Sequence, residues 1–169
     1  MNDALFTSTS VEWYTPEDII SDVIRVMGGI DVDPCSPYHD GPVPATVHYT
    51  KAEDGLSLPW NGRVFMNPPY GHAVLKWSMK LVFEYLEGRT KEAIVLTNSS
   101  TETRWFNQLS KVSGLWCAPI QRIKFVPGEN NPKENRPTKG NAIFYFGKNS
   151  DRFIEVFSEW GPIYRTVTT

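Results

Sequence analysis

Two cysteines in 169 residues, Cys35 and Cys117, carry neither a disulfide framework nor the spacing of a metal site. Reduced thiols and a cytoplasmic location are therefore expected. No apolar run approaches the ~18 residues of a membrane span, and mean hydropathy is −0.35. Met1 to Ser10 lacks a basic stretch followed by an apolar one, so nothing points to secretion. Internal repeats and low-complexity tracts are missing too, which excludes solenoids and disordered tails. His39, His48 and His72 belong to no catalytic pattern, and no catalytic histidine is expected.

What is present reads as one globular domain, since 169 residues stand close to the usual ~150 per domain. Hydrophobic residues at 40% and charged ones at 21% are enough for a core without staples. The net charge of −2 conceals an asymmetry. Residues 1–60 hold two basic side chains against ten acidic ones, a net of −8. Residues 102–148 hold eight basic ones against three acidic ones, a net of +5. Such a contrast hints at a face for a polyanion, although two differing solvated surfaces would look the same.

Along the chain, apolar strands alternate with amphipathic helices. Thr15-Pro16-Glu17 opens a helix, with Thr15 as N-cap, and Gly28-Gly29 stops it. Ile30–Asp33 reads as a short strand. Cys35 to Pro59 is turn-rich text, punctuated by Pro37, Pro42, Pro44 and Gly55. Arg63–Met66 is a buried strand ending at Asn67-Pro68-Pro69-Tyr70, with a helix from His72 to Leu86. Ala93–Thr97 is apolar throughout, as in a parallel strand buried on both faces. A helix over 101–109, strands over 115–117, 122–126 and 142–146, a helix over 152–158 and an edge strand over 163–167 complete the expectation. The alternation predicts a three-layer α/β sandwich with a mostly parallel sheet.

In such sheets ligands bind outside the carboxyl ends of the strands. Asn67-Pro68-Pro69-Tyr70 stands at one such end. Successive prolines offer rigid carbonyls and no N–H donors, Asn67 adds a side-chain carbonyl, and Tyr70 adds an aromatic face. That makes an acceptor-rich cradle beside a stacking plate, suited to a planar base with an exocyclic amino group. The plain alternative is a strand-terminating turn. Asp54, upstream of the motif, and the apolar strand before it favour the functional reading.

Asn67-Pro68-Pro69-Tyr70 resembles the motif of amino-directed, S-adenosylmethionine-dependent methyltransferases. The wider chain is similar to the phage-type, Dam-like DNA N6-adenine methyltransferase family. The matching text runs in order through Glu12–Pro16, Ile30–Pro34, Glu53–Leu56, Trp60, Phe65–Gly71, Ala93–Asn98, Thr103–Phe106 and Arg122–Phe125. The resemblance implies a Rossmann-like methyltransferase fold and a cofactor held by Trp13, Thr15, Asp33, Pro34 and Asp54. It implies that Asn67 and the carbonyl of Pro68, braced by Pro69, receive the N–H bonds of the target amino group. Tyr70 would stack on an extruded adenine, and Phe125 would close the pocket. A glycine-rich turn after Asp33 is missing, the text reading Pro34-Cys35-Ser36-Pro37-Tyr38, so the cofactor half is expected to be shortened.

For the DNA backbone the candidates are Arg104, Arg122, Lys124, Lys133, Arg136 and Lys139, several of them in the polar stretch Pro127 to Gly140. No separate target-recognition domain fits in the chain, and no metal is expected. Phage DNA modification in a bacterial host cytoplasm, as protection from restriction, is what the resemblance suggests. Two rival readings use the same residues. Relatives with this motif methylate RNA guanine or a protein glutamine amide, and a non-catalytic DNA-binding module would keep a vestigial cofactor pocket.

Overall fold

A computed structural model describes residues 12–128 and 139–167 of the chain. Among these residues, the strands are β1 (Trp13–Tyr14), β2 (Ile30–Asp33), β3 (Ala45–His48), β4 (Gly62–Met66), β5 (Thr90–Asn98), β6 (Leu115–Cys117), β7 (Val126–Pro127), β8 (Asn141–Phe146) and β9 (Ile163–Arg165). The helices are α1 (Glu17–Met27), α2 (Ala73–Leu86), α3 (Arg104–Ser113) and α4 (Ser150–Phe157). A seven-stranded sheet has the order β3-β2-β4-β5-β8-β6-β9, while β1 and β7 form a separate antiparallel pair.

The sheet alternates its side chains between two helical layers. Phe65, Ile94, Leu96, Ile143 and Tyr145 face α1 and α4, meeting Ile19, Val23, Phe153 and Phe157. Val64, Met66, Val95, Phe144 and Phe146 face α2 and α3, meeting Leu81, Val82, Phe106 and Leu109. Three layers result, as expected. Each fully buried large apolar side chain in them contributes roughly 1.5–3 kcal/mol.

Several expectations need correcting. β3, β2, β4 and β5 are parallel, but β8 runs antiparallel between β5 and β6, and β9 antiparallel beside β6. The sheet is therefore mixed. All six residues of β8 are buried, and an unbroken apolar strand reads the same in either direction. The turn-rich text before Pro59 conceals β3, an edge strand preceded by Pro42 and Pro44. Arg122–Phe125 is not a strand; only Val126–Pro127 pairs, and it pairs with β1. Residues 101–103 precede α3, where Thr103 is the cap and accepts from the Phe106 N–H. Thr15 does not cap α1, because Pro16 holds that position and the Thr15 hydroxyl is engaged elsewhere.

Two connections position the candidate site. From β2 the chain passes to β3 on one side and returns to β4 on the other. Strand order reverses at β2, and the carboxyl ends of β2 and β4 flank the crevice that such a reversal opens. Neither connection contains an α-helix; residues 49–61 hold only a 3-10 turn at Gly55–Ser57. That half of the fold is short, as the sequence predicts.

A buried carboxylate anchors this turn. Glu84 is 1% exposed and is met by Lys80, Arg89 and the main-chain N–H of Trp60. Burial alone raises its pKa, but the hydrogen bonds from Arg89, Lys80 and Trp60 outweigh burial and hold it at about 2. The Trp60 indole stacks on Trp77 and donates to the Gly55 carbonyl at 2.8 Å.

A carboxyl depressed from 4.5 to about 2 stabilises the fold above pH 4.5, and that stability is lost as pH falls through 2. Denaturant unfolding should therefore show a loss of about 3 kcal/mol between pH 5 and pH 2. Glu84→Gln should be less stable at pH 7 and lack this component of the acid dependence. An identical pH profile in the variant would exclude the role.

Candidate active site

Asn67 ends β4 and is the point where three elements meet. Its Nδ2 donates to Thr15 Oγ1 at 3.1 Å, from the segment between β1 and α1. Its Oδ1 accepts from the Tyr70 hydroxyl at 3.2 Å. Its main-chain carbonyl accepts from the Cys35 thiol at 3.4 Å, from the turn after β2. Pro68 is buried and Pro69 exposed. With two prolines following, no main-chain N–H competes for the acceptors at this strand end.

Tyr70 packs edge-to-face on Phe125, with ring centroids 6.4 Å apart. Burial pushes the Tyr70 hydroxyl above its ordinary pKa, so it stays a neutral donor. Phe125 is held in place because the next two residues, Val126 and Pro127, pair with Tyr14 and Trp13. The Gly128 N–H closes this clasp on the Glu12 carbonyl at 2.9 Å. Thr15 and Phe125 are thus fixed on either side of Asn67 and Tyr70 by one small β-pair. Beside Thr15 opens a groove of about 410 Å³, lined by Tyr14, Ile20, Ile24, Pro42 and Val126 among others.

The acidic residues expected to hold a cofactor lie around the end of β2. Asp33 is 4% exposed. Burial raises its carboxyl to about 6, against weaker lowering by the Cys35 N–H and by His48. Asp54 is exposed, and at φ 53 it is the one described non-glycine residue with left-handed backbone. Such strain persists only where surrounding contacts impose it. The next residue, Gly55, is in close contact: a Cβ on it would stand 2.1 Å from the Pro34 carbonyl. The turn bearing Asp54 is therefore pressed onto the turn that follows Asp33.

Of the expected cationic residues, Arg104, Arg122, Lys124 and Lys139 are exposed. Buried Ile123 and Phe125 alternate with Arg122 and Lys124, which turns those two cations outward beside the Tyr70 pocket. Arg104 starts α3 just beyond the carboxyl end of β5, and Gly140, next to Lys139, accepts from Ser99 N–H at the same end. Four cations from three connections thus share the rim on which Asn67 stands. Lys133 and Arg136 lie outside the described residues. Cys35 is the contact that sequence reading missed, and its only signal was its place two residues after Asp33.

Asp33 offers a test of the crevice. A carboxyl raised from 3.8 to about 6 adds stability below pH 3.8 that is lost as pH rises through 6. At pH 7–8 the buried carboxylate destabilises the protein by about 3 kcal/mol. Asp33→Asn keeps an acceptor for the Cys35 N–H and should raise the unfolding free energy at pH 7.5, with the gain vanishing near pH 4. Equal stability of the two proteins at pH 7.5 would refute a destabilising carboxylate.

A family model described as DNA N-6-adenine-methyltransferase (Dam) matches residues 5–159. Among curated proteins, none matches the chain.

Proposed function

Because the chain belongs to the DNA N-6-adenine-methyltransferase family, we propose that it methylates adenine N6 in DNA on a base turned out of the stack. The observation that carries this reading is the engagement of Asn67 Oδ1 by a donor hydroxyl, 3.2 Å away, beside two aromatic rings. An acceptor already satisfied by an O–H is suited to an N–H in its place.

S-adenosylmethionine, when bound, supplies a methyl group on a sulfonium, a strong electrophile that needs no further activation. Trp13, Thr15, Asp33, Pro34 and Asp54 would hold it. The residues fit: a buried acceptor at Asp33 and an exposed one at Asp54 each adjoin the close approach of Pro34 to Gly55. The difficulty of the reaction lies in the nucleophile, since the N6 lone pair is delocalised into the adenine ring. Asn67 Oδ1 and the Pro68 carbonyl accept the two N–H bonds and favour a pyramidal nitrogen with its lone pair free. Pro69 keeps the segment rigid. The contribution is positioning and electrostatic complementarity to the transition state. Tyr70 replaces the stacking lost when the base leaves the duplex, a cost of roughly a few kcal/mol. Thr15 acts on both partners in this reading, since the hydroxyl beside the methyl donor also fixes the Asn67 amide.

Arg104, Arg122, Lys124 and Lys139 hold the phosphate backbone, joined by Lys133 and Arg136, so affinity falls steeply with salt. In this reading a methyltransferase domain with a Rossmann-like core reads its target through loops. The reading carries with it a phage-encoded enzyme working in a bacterial cytoplasm, where methylation protects DNA from restriction. The helix-free connections around β3 favour one competing reading, a DNA-binding module that no longer takes up the cofactor.

Methyl transfer from labelled S-adenosylmethionine, offered unmethylated DNA, RNA and protein extract in parallel, decides among these. The expected product is N6-methyladenine in DNA. Asn67→Ala should lower turnover by ~10²-fold or more, the scale of losing one transition-state hydrogen bond, while cofactor affinity changes little. Tyr70→Phe keeps the stacking face and frees Oδ1, so turnover should stay within about tenfold; Tyr70→Ala should lose far more. Label in RNA or protein would change the acceptor, and absence of cofactor binding would favour the competing module.

A further inference from the structure

α2 carries an apolar stripe that, among the described residues, only the Arg89 guanidinium touches, 5.1 Å from the Phe83 ring centroid. Leu75, Met79, Phe83 and Leu86 are 45%, 45%, 54% and 68% exposed. At 100° per residue they fall within an arc of about 80° on one face. The opposite face is spent on the core and on Glu84, and Trp77 points to the Gly55 turn. The proposed reaction uses none of the four. Scattered exposed apolar residues are ordinary, but four aligned along one helix form a contiguous patch.

The charges bordering the stripe suggest what covers it. Lys76 and Glu87 are both exposed and lie on the same flank, about 20° apart around the axis. Lys76 has no ion pair among the described residues, and Glu87 has one contact to Arg89 at 3.9 Å. Lys76 precedes the middle of the stripe by about 7 Å and Glu87 follows it by about 9 Å, at 1.5 Å rise per residue. A dyad perpendicular to the helix through that middle preserves the flank and reverses the direction. It therefore brings Lys76 of one copy level with Glu87 of the other, twice, while Met79 meets Phe83. We infer that α2 is the interface of a homodimer, packed antiparallel on α2 of a second copy.

Size indicates a weak, concentration-dependent dimer. The exposed parts of the four side chains amount to on the order of 400 Å² per copy, roughly 800 Å² across the dyad. With the flanking charges the total is about 1,000 Å², the lower bound for a specific interface. The self-matching charge order is what selects a second copy over an unrelated partner, for which Lys76 and Glu87 need no such spacing.

Sedimentation velocity of the full chain between about 1 and 200 µM, the range for an interface of this size, tests the inference. A monomer–dimer equilibrium with Kd in the tens of micromolar is expected. Met79→Glu with Leu86→Glu should abolish it without lowering the melting temperature, because both side chains are exposed. Lys76→Glu and Glu87→Lys should each weaken the dimer about tenfold, and the double charge exchange should restore it. A monomer throughout the range would overturn the inference, as would a dimer that neither the stripe nor the charge variants affect. Restoration by the exchange is an outcome that a heterologous partner or a covering segment of the same chain cannot produce.

Discussion

The hydrogen bonds on Asn67 tie together parts of the chain that are far apart in sequence. Thr15, Cys35 and Tyr70 reach it from three different connections. Neither its place at the end of β4 nor its amide orientation results from local propensity. The first follows from a strand buried on both faces, and the second from the Thr15 hydroxyl. Thr15 in turn stays in place because Trp13 and Tyr14 pair with Val126 and Pro127, which also delivers Phe125 to the Tyr70 ring. One two-stranded clasp thus closes both sides of the candidate cradle. In the proposed reaction this rigidity is the chain's main contribution, since two acceptors assist the amino group only if they hold their positions.

Two buried carboxyls behave in opposite ways, and the difference separates support from site. Glu84 is surrounded by donors, so its charge is more stable inside than in water. It holds Trp60, and through Trp60 the turn that carries Asp54. Asp33 has too few donors for a carboxylate 4% exposed, and burial raises its pKa. A buried carboxyl of this kind is costly to the fold. In the proposed reaction it would gain donors from the bound cofactor.

The charge asymmetry acquires a location in the fold. Asp33 ends β2 and Asp54 lies on the turn pressed against Pro34, whereas Arg104, Arg122, Lys124 and Lys139 line the rim beyond β5 and β6. The two signs flank the Asn67 cradle from opposite sides. In the proposed reaction a cationic methyl donor and a polyanionic acceptor would use that division, so the near-zero net charge says little about partners. The unpaired stripe of α2 lies outside this arrangement.

Local text determined a good deal of this protein. Strand and helix alternation indicated the layers, the resemblance of the matching segments indicated the family, and the two-proline motif at a strand end pointed to the candidate cradle. These are legible because period, capping and proline geometry act within a few residues. Other features were decided only in three dimensions. The direction of β8 shows only in its register, with Asn141 beside Asn98 and Phe146 beside Ala93, since a run of five buried apolar residues after Asn141 fits either orientation. β3 is a strand only because β2 offers it an edge. Thr15, read as a helix cap, serves Asn67 across 52 positions. Cys35 became part of the site through one contact with a carbonyl 32 positions away. Hydrogen bonds of that kind are selected by the packing of whole layers, and no sequence window contains both partners.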